Sequence, residues 1–154
     1  MCLIIDANVA CLVFNESPDA DYIPVSKWLY APNKDGRIVY GGRLRRELIR
    51  TAKVRRNLYV LNQAGRARLV PDNQVDAEES RVAGTGLCRS DDPHIIALAR
   101  LSGARTLCSC DTALHVDFKN PKLIANPKGS VYQNSGHIAL LRHTEACRRN
   151  EKSR

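Results

Sequence analysis

Four carboxylates stand where the apolar pattern of the chain breaks: Asp6, Glu47, Asp92 and Asp111. Asp6 follows the run "CLII" and Asp111 follows "TLCSC", and each ends a stretch that reads as a buried strand. In open α/β sheets, sites form outside the carboxyl ends of the strands. Either aspartate alone could be a helix cap or a turn former; both together point to a site. Carboxylates that converge there repel one another, and a hard divalent cation such as Mg2+ or Mn2+ with oxygen ligands would neutralise them. Such an ion polarises a phosphodiester and activates water.

Glu47 reaches that end from a helix expected over residues 43–62. With Leu44 at zero, Leu48 falls at about +40°, Thr51 at about −20°, Leu58 at about −40°, Val54 at about −80° and Glu47 at about −60°. A carboxylate inside an apolar arc needs a cation or a hydrogen-bond partner, and a salt bridge to an arginine would also satisfy it. Arg55, at about +20°, intrudes on the same arc, so the helix is expected to bend or end before it. Asp92 precedes Pro93 and suits the N-cap of an apolar helix over 92–102, while the adjacent Asp91 could take its place or stand behind it.

Charge adds a partner class. Lys and Arg number 24 against 16 Asp and Glu, and the net charge of +8 favours a polyanion, nucleic acid ahead of an anionic membrane. A basic surface that only confers solubility is the competing reading. Arg43, Arg46 and Arg50 flank Glu47 and would hold a phosphate backbone. No apolar run approaches the ~20 residues of a membrane span. Residues 1–6 show no basic leader and no cleavage signal, so a cytoplasmic location is expected. The six cysteines have no C-x-x-C spacing and are expected to be reduced and mostly buried.

The elements that must position these residues alternate. Strands are expected at 2–6, 37–42, 66–71 and 105–110, with an edge near 119–132. Helices are expected at 9–14, 22–30, 43–62, from a cap at Asp72 or Asn73 to about 83, and at 92–102; 111–118 reads as a turn or helix. That alternation calls for a three-layer α/β/α fold around a mostly parallel sheet of four to five strands. Residues 1–147 read as one domain and 148–154 as a basic, disordered tail.

The order of "IIDAN", "RRELI", "DDPHIIALA" and "LCSCD" resembles the PIN-domain nucleases, with the matches spread over residues 3–118. The resemblance implies that Asp6, Glu47, Asp92 and Asp111 are both catalytic and metal ligands. It selects Asp92 over Asp91, places Asp111 in a Ser-x-Asp pattern with Ser109, and matches Asn8 to a small polar position. Asn8, Asp91, Ser109 and Asp117 would stand behind the ligands, although Asp117 could join the metal shell or cap a turn. The implied activity is cleavage of RNA by a Mg2+- or Mn2+-activated water, without a covalent intermediate. Many small members resemble the toxin of a toxin–antitoxin pair, which implies an antitoxin partner and a homodimer. An RNA-processing nuclease that is not a toxin, or an inert RNA-binding module on the same fold, are the alternatives.

Other classes fit less well. A haloacid-dehalogenase-like phosphatase needs an aspartate where Asn8 stands, and a phospho-receiver needs its paired acids after the first strand rather than at 91–92. His94, read as facing solvent, and His137 are left without a role. So is the segment "YQNSGHIALLRH".

Overall fold

The structure is a computed structural model that describes residues 2–32 and 36–142. Most of the turn expected at 33–36, and the tail at 148–154, lie outside the described residues. All five strands belong to one parallel sheet. Strand β1 (Cys2–Ile5) is central, and its apolar residues are buried on both faces, as its unbroken run requires. After it come β2 (Arg37–Gly41), β3 (Ala67–Val70), β4 (Thr106–Cys108) and β5 (Ser130–Tyr132), in the spatial order β3-β2-β1-β4-β5.

Parallel neighbours cannot be joined by a tight turn, so helices make the crossings. These are α1 (Ala7–Phe14) and α2 (Ile23–Tyr30), α3 (Gly42–Leu48) and α4 (Ala52–Gln63), α5 (Asp72–Gly84) and α6 (Pro93–Ser102), then α7 (Thr112–Lys119). A 3-10 helix (Ser135–Arg142) follows β5. Helices α3, α5 and α6 pack together, with α6 over β1–β3, while α1 packs with α2 and α4. The result is the expected α/β/α arrangement. The core joins Leu3, Ile4 and Ile5 of β1 to Leu44, Ile95, Ile96, Leu107 and Phe118. Each such side chain contributes roughly 1.5–3 kcal/mol by leaving water.

The strand order places the site. From β1 the chain moves out to β2 and β3 on one side and returns to β4 and β5 on the other, so the order reverses between β1 and β4. The peptide N–H of Asp6 donates to the Cys108 carbonyl at 2.9 Å, so pairing between the two strands reaches Asp6 itself. A reversal of strand order of this kind is where open α/β sheets form their ligand crevices.

The helix expected over 43–62 is two helices. The first helix stops after Leu48, the backbone is extended at Thr51, and the Arg55 guanidinium donates to the Ile49 carbonyl at 2.8 Å. Arg55 is thus a cap on the end of α3, which explains its place in the apolar arc. The angular relation of Glu47 to Val54 and Leu58 does not survive the break. Only Leu44 and Leu48 share its helix. The cysteines also depart from expectation: Cys2 is disulfide-bonded, and Cys11 and Cys110 are exposed free thiols, whereas Cys108 is free and buried. Among the described residues, no helix is long and apolar enough to cross a membrane.

Candidate acidic site at the carboxyl ends of the central strands

Asp6 is the first residue past β1 and only 5% exposed. The Ser109 hydroxyl donates to Asp6 Oδ2 at 2.8 Å and accepts from the Asp111 peptide N–H at 3.1 Å and, at 3.5 Å, from Asn8 Nδ2. One hydroxyl therefore ties the end of β1 to the loop after β4. His115 anchors that loop from behind. Its Nδ1 faces the Gln133 amide at 3.2 Å, leaving Nε2 as the donor to the Ser109 carbonyl at 2.5 Å. Burial raises the pKa of Asp6, Ser109 and the Ala7 N–H oppose the rise, and the charges of Glu47 and Asp111 add to it.

Capping accounts for only one of the three aspartates. Asp111 Oδ1 accepts from the N–H groups of Ala113 (3.0 Å) and Leu114 (3.3 Å), closing the start of α7 and leaving Oδ2 out of that cap. Asp6 and Asp92 occupy the N-cap positions of α1 and α6 without a side-chain capping bond. Burial first, and then the charges of Asp6, Asp111 and Glu47, push the Asp92 carboxyl up to about 6 against the pull of Arg43. Asp91 is exposed.

Glu47 is not the unpaired buried acid of the sequence reading. Its side chain is 24% exposed, and Arg43 Nε donates to its Oε1 at 3.1 Å. The salt bridge to an arginine is realised, from the previous turn of the same helix. Behind Glu47 lies His94, which is fully buried where α3 packs on α6 and does not face solvent. Its Nε2 is 3.9 Å from Glu47 Oε1, its Nδ1 is 3.9 Å from Asp92 Oδ1, and neither nitrogen has a hydrogen-bond partner. Burial, then the charges of Arg43 and Arg46, push the ring down to about 4.

Asp117 neither faces the crevice as a ligand nor caps a turn of its own. It is fully buried and accepts from the Arg89 N–H (2.8 Å), the Ser90 N–H (2.9 Å) and the Ser90 hydroxyl (2.7 Å). Ser90 Oγ in turn accepts from the Asp92 N–H at 3.3 Å. Asp117 thus fixes the loop that delivers Asp92. Ser90, His94 and His115 were missed from sequence. The one available signal was His94, which breaks an otherwise apolar helix.

The arginines are already engaged. Arg46 pairs with Asp76 (3.0 Å) and Asp72 (3.6 Å), Arg45 with Asp72 (3.8 Å), and Arg43 reaches Glu79 (3.9 Å) as well as Glu47. An acidic face of α5 therefore covers part of the basic face of α3. Arg50 is exposed, with no ion pair among the described residues. Exposed pairs are worth ~0–1 kcal/mol, so a phosphate can displace them.

The structure brings Asp6, Glu47, Asp92 and Asp111 into one electrostatic field. Among the described residues, no three Asp, Glu, His or Cys side chains are gathered tightly enough to hold an ion as they stand. Comparison with protein-family models, with curated proteins and with solved structures found no match to this chain.

Proposed function

We propose that the chain is a Mg2+- or Mn2+-dependent ribonuclease of the PIN-domain kind. What supports this reading is the placement of Asp92 at the buried entry to α6, where burial first, and then the charges of Asp6, Asp111 and Glu47, push its carboxyl up to about 6. Two of these carboxylates, Asp6 and Asp92, make no side-chain capping bond to the helices they precede. Oxygen donors of this kind suit a hard divalent cation.

A bound ion would polarise the phosphodiester and supply a water acidic enough to attack it. The residues that would hold it are Asp6, Asp92, Asp111 through Oδ2, and Glu47 once released from Arg43. Ser109 and the Ala7 N–H hold the Asp6 carboxylate in a fixed orientation. Arg43, Arg46 and Arg50 would exchange their carboxylate or solvent contacts for RNA phosphates. A toxin role with an antitoxin partner, and a homodimer, belong to the same reading and rest on the resemblance. A neighbouring reading frame that encodes no small partner counts against the toxin role.

The test incubates single- and double-stranded RNA with the protein under Mg2+, Mn2+ or EDTA, beside Asp6→Asn. Metal-dependent cleavage, lost in the variant, is expected. Cleavage that survives both EDTA and the substitution overturns the reading. Tight, salt-sensitive RNA binding without cleavage would assign an inert RNA-binding module instead, with the Arg43–Glu47 pair as its resting arrangement.

A further inference from the structure

We propose that Arg50, Lys53, Arg56 and Tyr59 form a track that holds single-stranded RNA beside the acidic site; this rests on the RNA reading above and extends it along α4. The charge of the chain is unevenly spread. Residues 48–71 carry six Lys and Arg and no Asp or Glu, whereas the whole chain has 24 against 16. Arg45 and Arg46 of α3 are paired with carboxylates of α5. The Arg50 and Arg56 side chains, by contrast, are exposed and have no hydrogen bond or ion pair among the described residues. Cations gathered without counter-charge repel one another and favour a polyanion. A surface that only confers solubility does so best with both signs interspersed, as on α3 and α5.

Helix geometry lines these residues up. Val54, Leu58 and Leu61 of α4 are buried, and Arg56, Tyr59 and Val60 on the other side are exposed. Lys53, Arg56 and Tyr59 follow at three-residue steps, which sets successive Cβ atoms ~5–6 Å apart. The Lys53 ammonium donates to Asn15 Oδ1 at 3.3 Å, a neutral partner that leaves its charge uncompensated. Arg50 stands one step before Lys53, and its N–H donates to the Glu47 carbonyl at 3.3 Å. The track therefore starts at the turn of α3 that carries Glu47. Tyr59 selects the kind of polyanion. It is 65% exposed, more than any other large apolar side chain among the described residues. A ring set among unpaired cations offers a base a stacking surface, and base faces are free in a single strand. An anionic membrane requires a broad apolar face, and the outward side of α4 offers only Tyr59 and Val60 as large apolar side chains.

Fluorescence anisotropy on the full chain in EDTA tests this, so that binding is read without cleavage. The probe is a labelled single-stranded RNA of about 12 nucleotides, with the same sequence as a duplex and as single-stranded DNA for comparison. The single-stranded RNA is expected to bind about tenfold or more tighter than the duplex. Arg50→Gln and Arg56→Gln should each reduce the slope of log affinity against log salt by about 0.7. Tyr59→Ala should weaken binding about fivefold or more at unchanged slope, and Tyr59→Phe should restore it. Lys122→Gln, at an exposed charge beyond α7, should leave affinity within about twofold. Equal binding of single strand and duplex, a preference for single-stranded DNA, or a Tyr59→Ala variant that binds like the natural chain would each overturn the proposal. So would equal slope changes in Arg56→Gln and Lys122→Gln. Polyglutamate that binds as tightly as RNA, with the same dependence on Arg50 and Arg56, would assign the surface to an acidic protein instead. The two readings fail separately. RNA held on this track without metal-dependent cleavage refutes the nuclease and upholds the track, and metal-dependent cleavage with Tyr59→Ala binding normally refutes only the track.

Discussion

Asp92 and His94 stand two residues apart at the start of α6 and respond to pH in opposite senses. Asp92 is raised from 3.8 to about 6, so its contribution to stability is complete below its unfolded value and is lost as pH rises through 6. His94 is lowered from 6.5 to about 4, so its contribution is complete above 6.5 and is lost as pH falls through 4. Between those limits the two oppose each other. In EDTA, Asp92→Asn leaves only the raised Asp6 to oppose His94, so as pH goes from 4 to 6.5 the urea midpoint should climb relative to that of the natural chain. His94→Gln leaves Asp92, with Asp6 shifted in the same direction, and the midpoint should fall from pH 4 to 6. Slopes on the order of 1 kcal/mol per pH unit are expected. Parallel slopes in the two variants would contradict the geometry. Ser109 works differently, because a single hydroxyl serves Asp6, Asp111 and Asn8 at once. If the chain cleaves RNA as proposed, Ser109→Ala should lower that cleavage by about 10–100-fold, and Ser109→Thr should retain most of it.

At the scale of elements, the start of α3 and the entry to α6 decide where the acids point. Gly42 opens α3 at φ +58°, its N–H donates to Asp72 at 2.9 Å, and a Cβ there would lie 2.6 Å from Val75. Left-handed backbone and a clash act together, so Gly42→Ala should cost about 2–4 kcal/mol in denaturant unfolding. A loss below 1 kcal/mol would mean that α5 yields easily. The entry to α6 depends on Asp117. Removing that fully buried carboxylate takes the partner from three part-buried donors, so Asp117→Ala should cost about 1–3 kcal/mol. Amide exchange at residues 89–92 should accelerate more than exchange in β1. Uniform acceleration would show that Asp117 stabilises the whole fold and does not specifically hold the loop.

The whole molecule carries a net charge of +8, yet part of its basic surface is neutralised by its own α5. Divalent ions should therefore act first on the acidic crevice. If the site binds Mn2+, a concentration 100 times Kd stabilises the fold by about 2.7 kcal/mol, a rise of several degrees in Tm. Calorimetry should show that rise in the natural chain and its loss in Asp6→Asn. An equal rise in both would place the ion elsewhere.

Much of this was legible from local pattern. A continuous apolar run that ends in Asp reads as a buried strand with a polar residue at its carboxyl end, and both Asp6 and Asp111 lie where that rule puts them. Strand–helix alternation likewise sufficed for the layered architecture, because parallel strands require crossings. Glu47 was found by a helical-wheel argument that assumed one long helix; its place beside Asp92 and His94 comes instead from α3 packing on α6. His94 was read as facing solvent because it is a polar residue just after Pro93 at the start of its helix, and its burial comes from α3 packing on α6.

The sequence by itself determined which residues end strands and which helices are apolar, since those follow from the period of the chain. Only the tertiary structure decided which carboxylates are spent as caps, which arginines are already paired, and that a buried imidazole lies 3.9 Å from both Glu47 and Asp92. Those outcomes depend on distances between segments tens of residues apart. Electrostatic coupling and burial arise only when such segments meet.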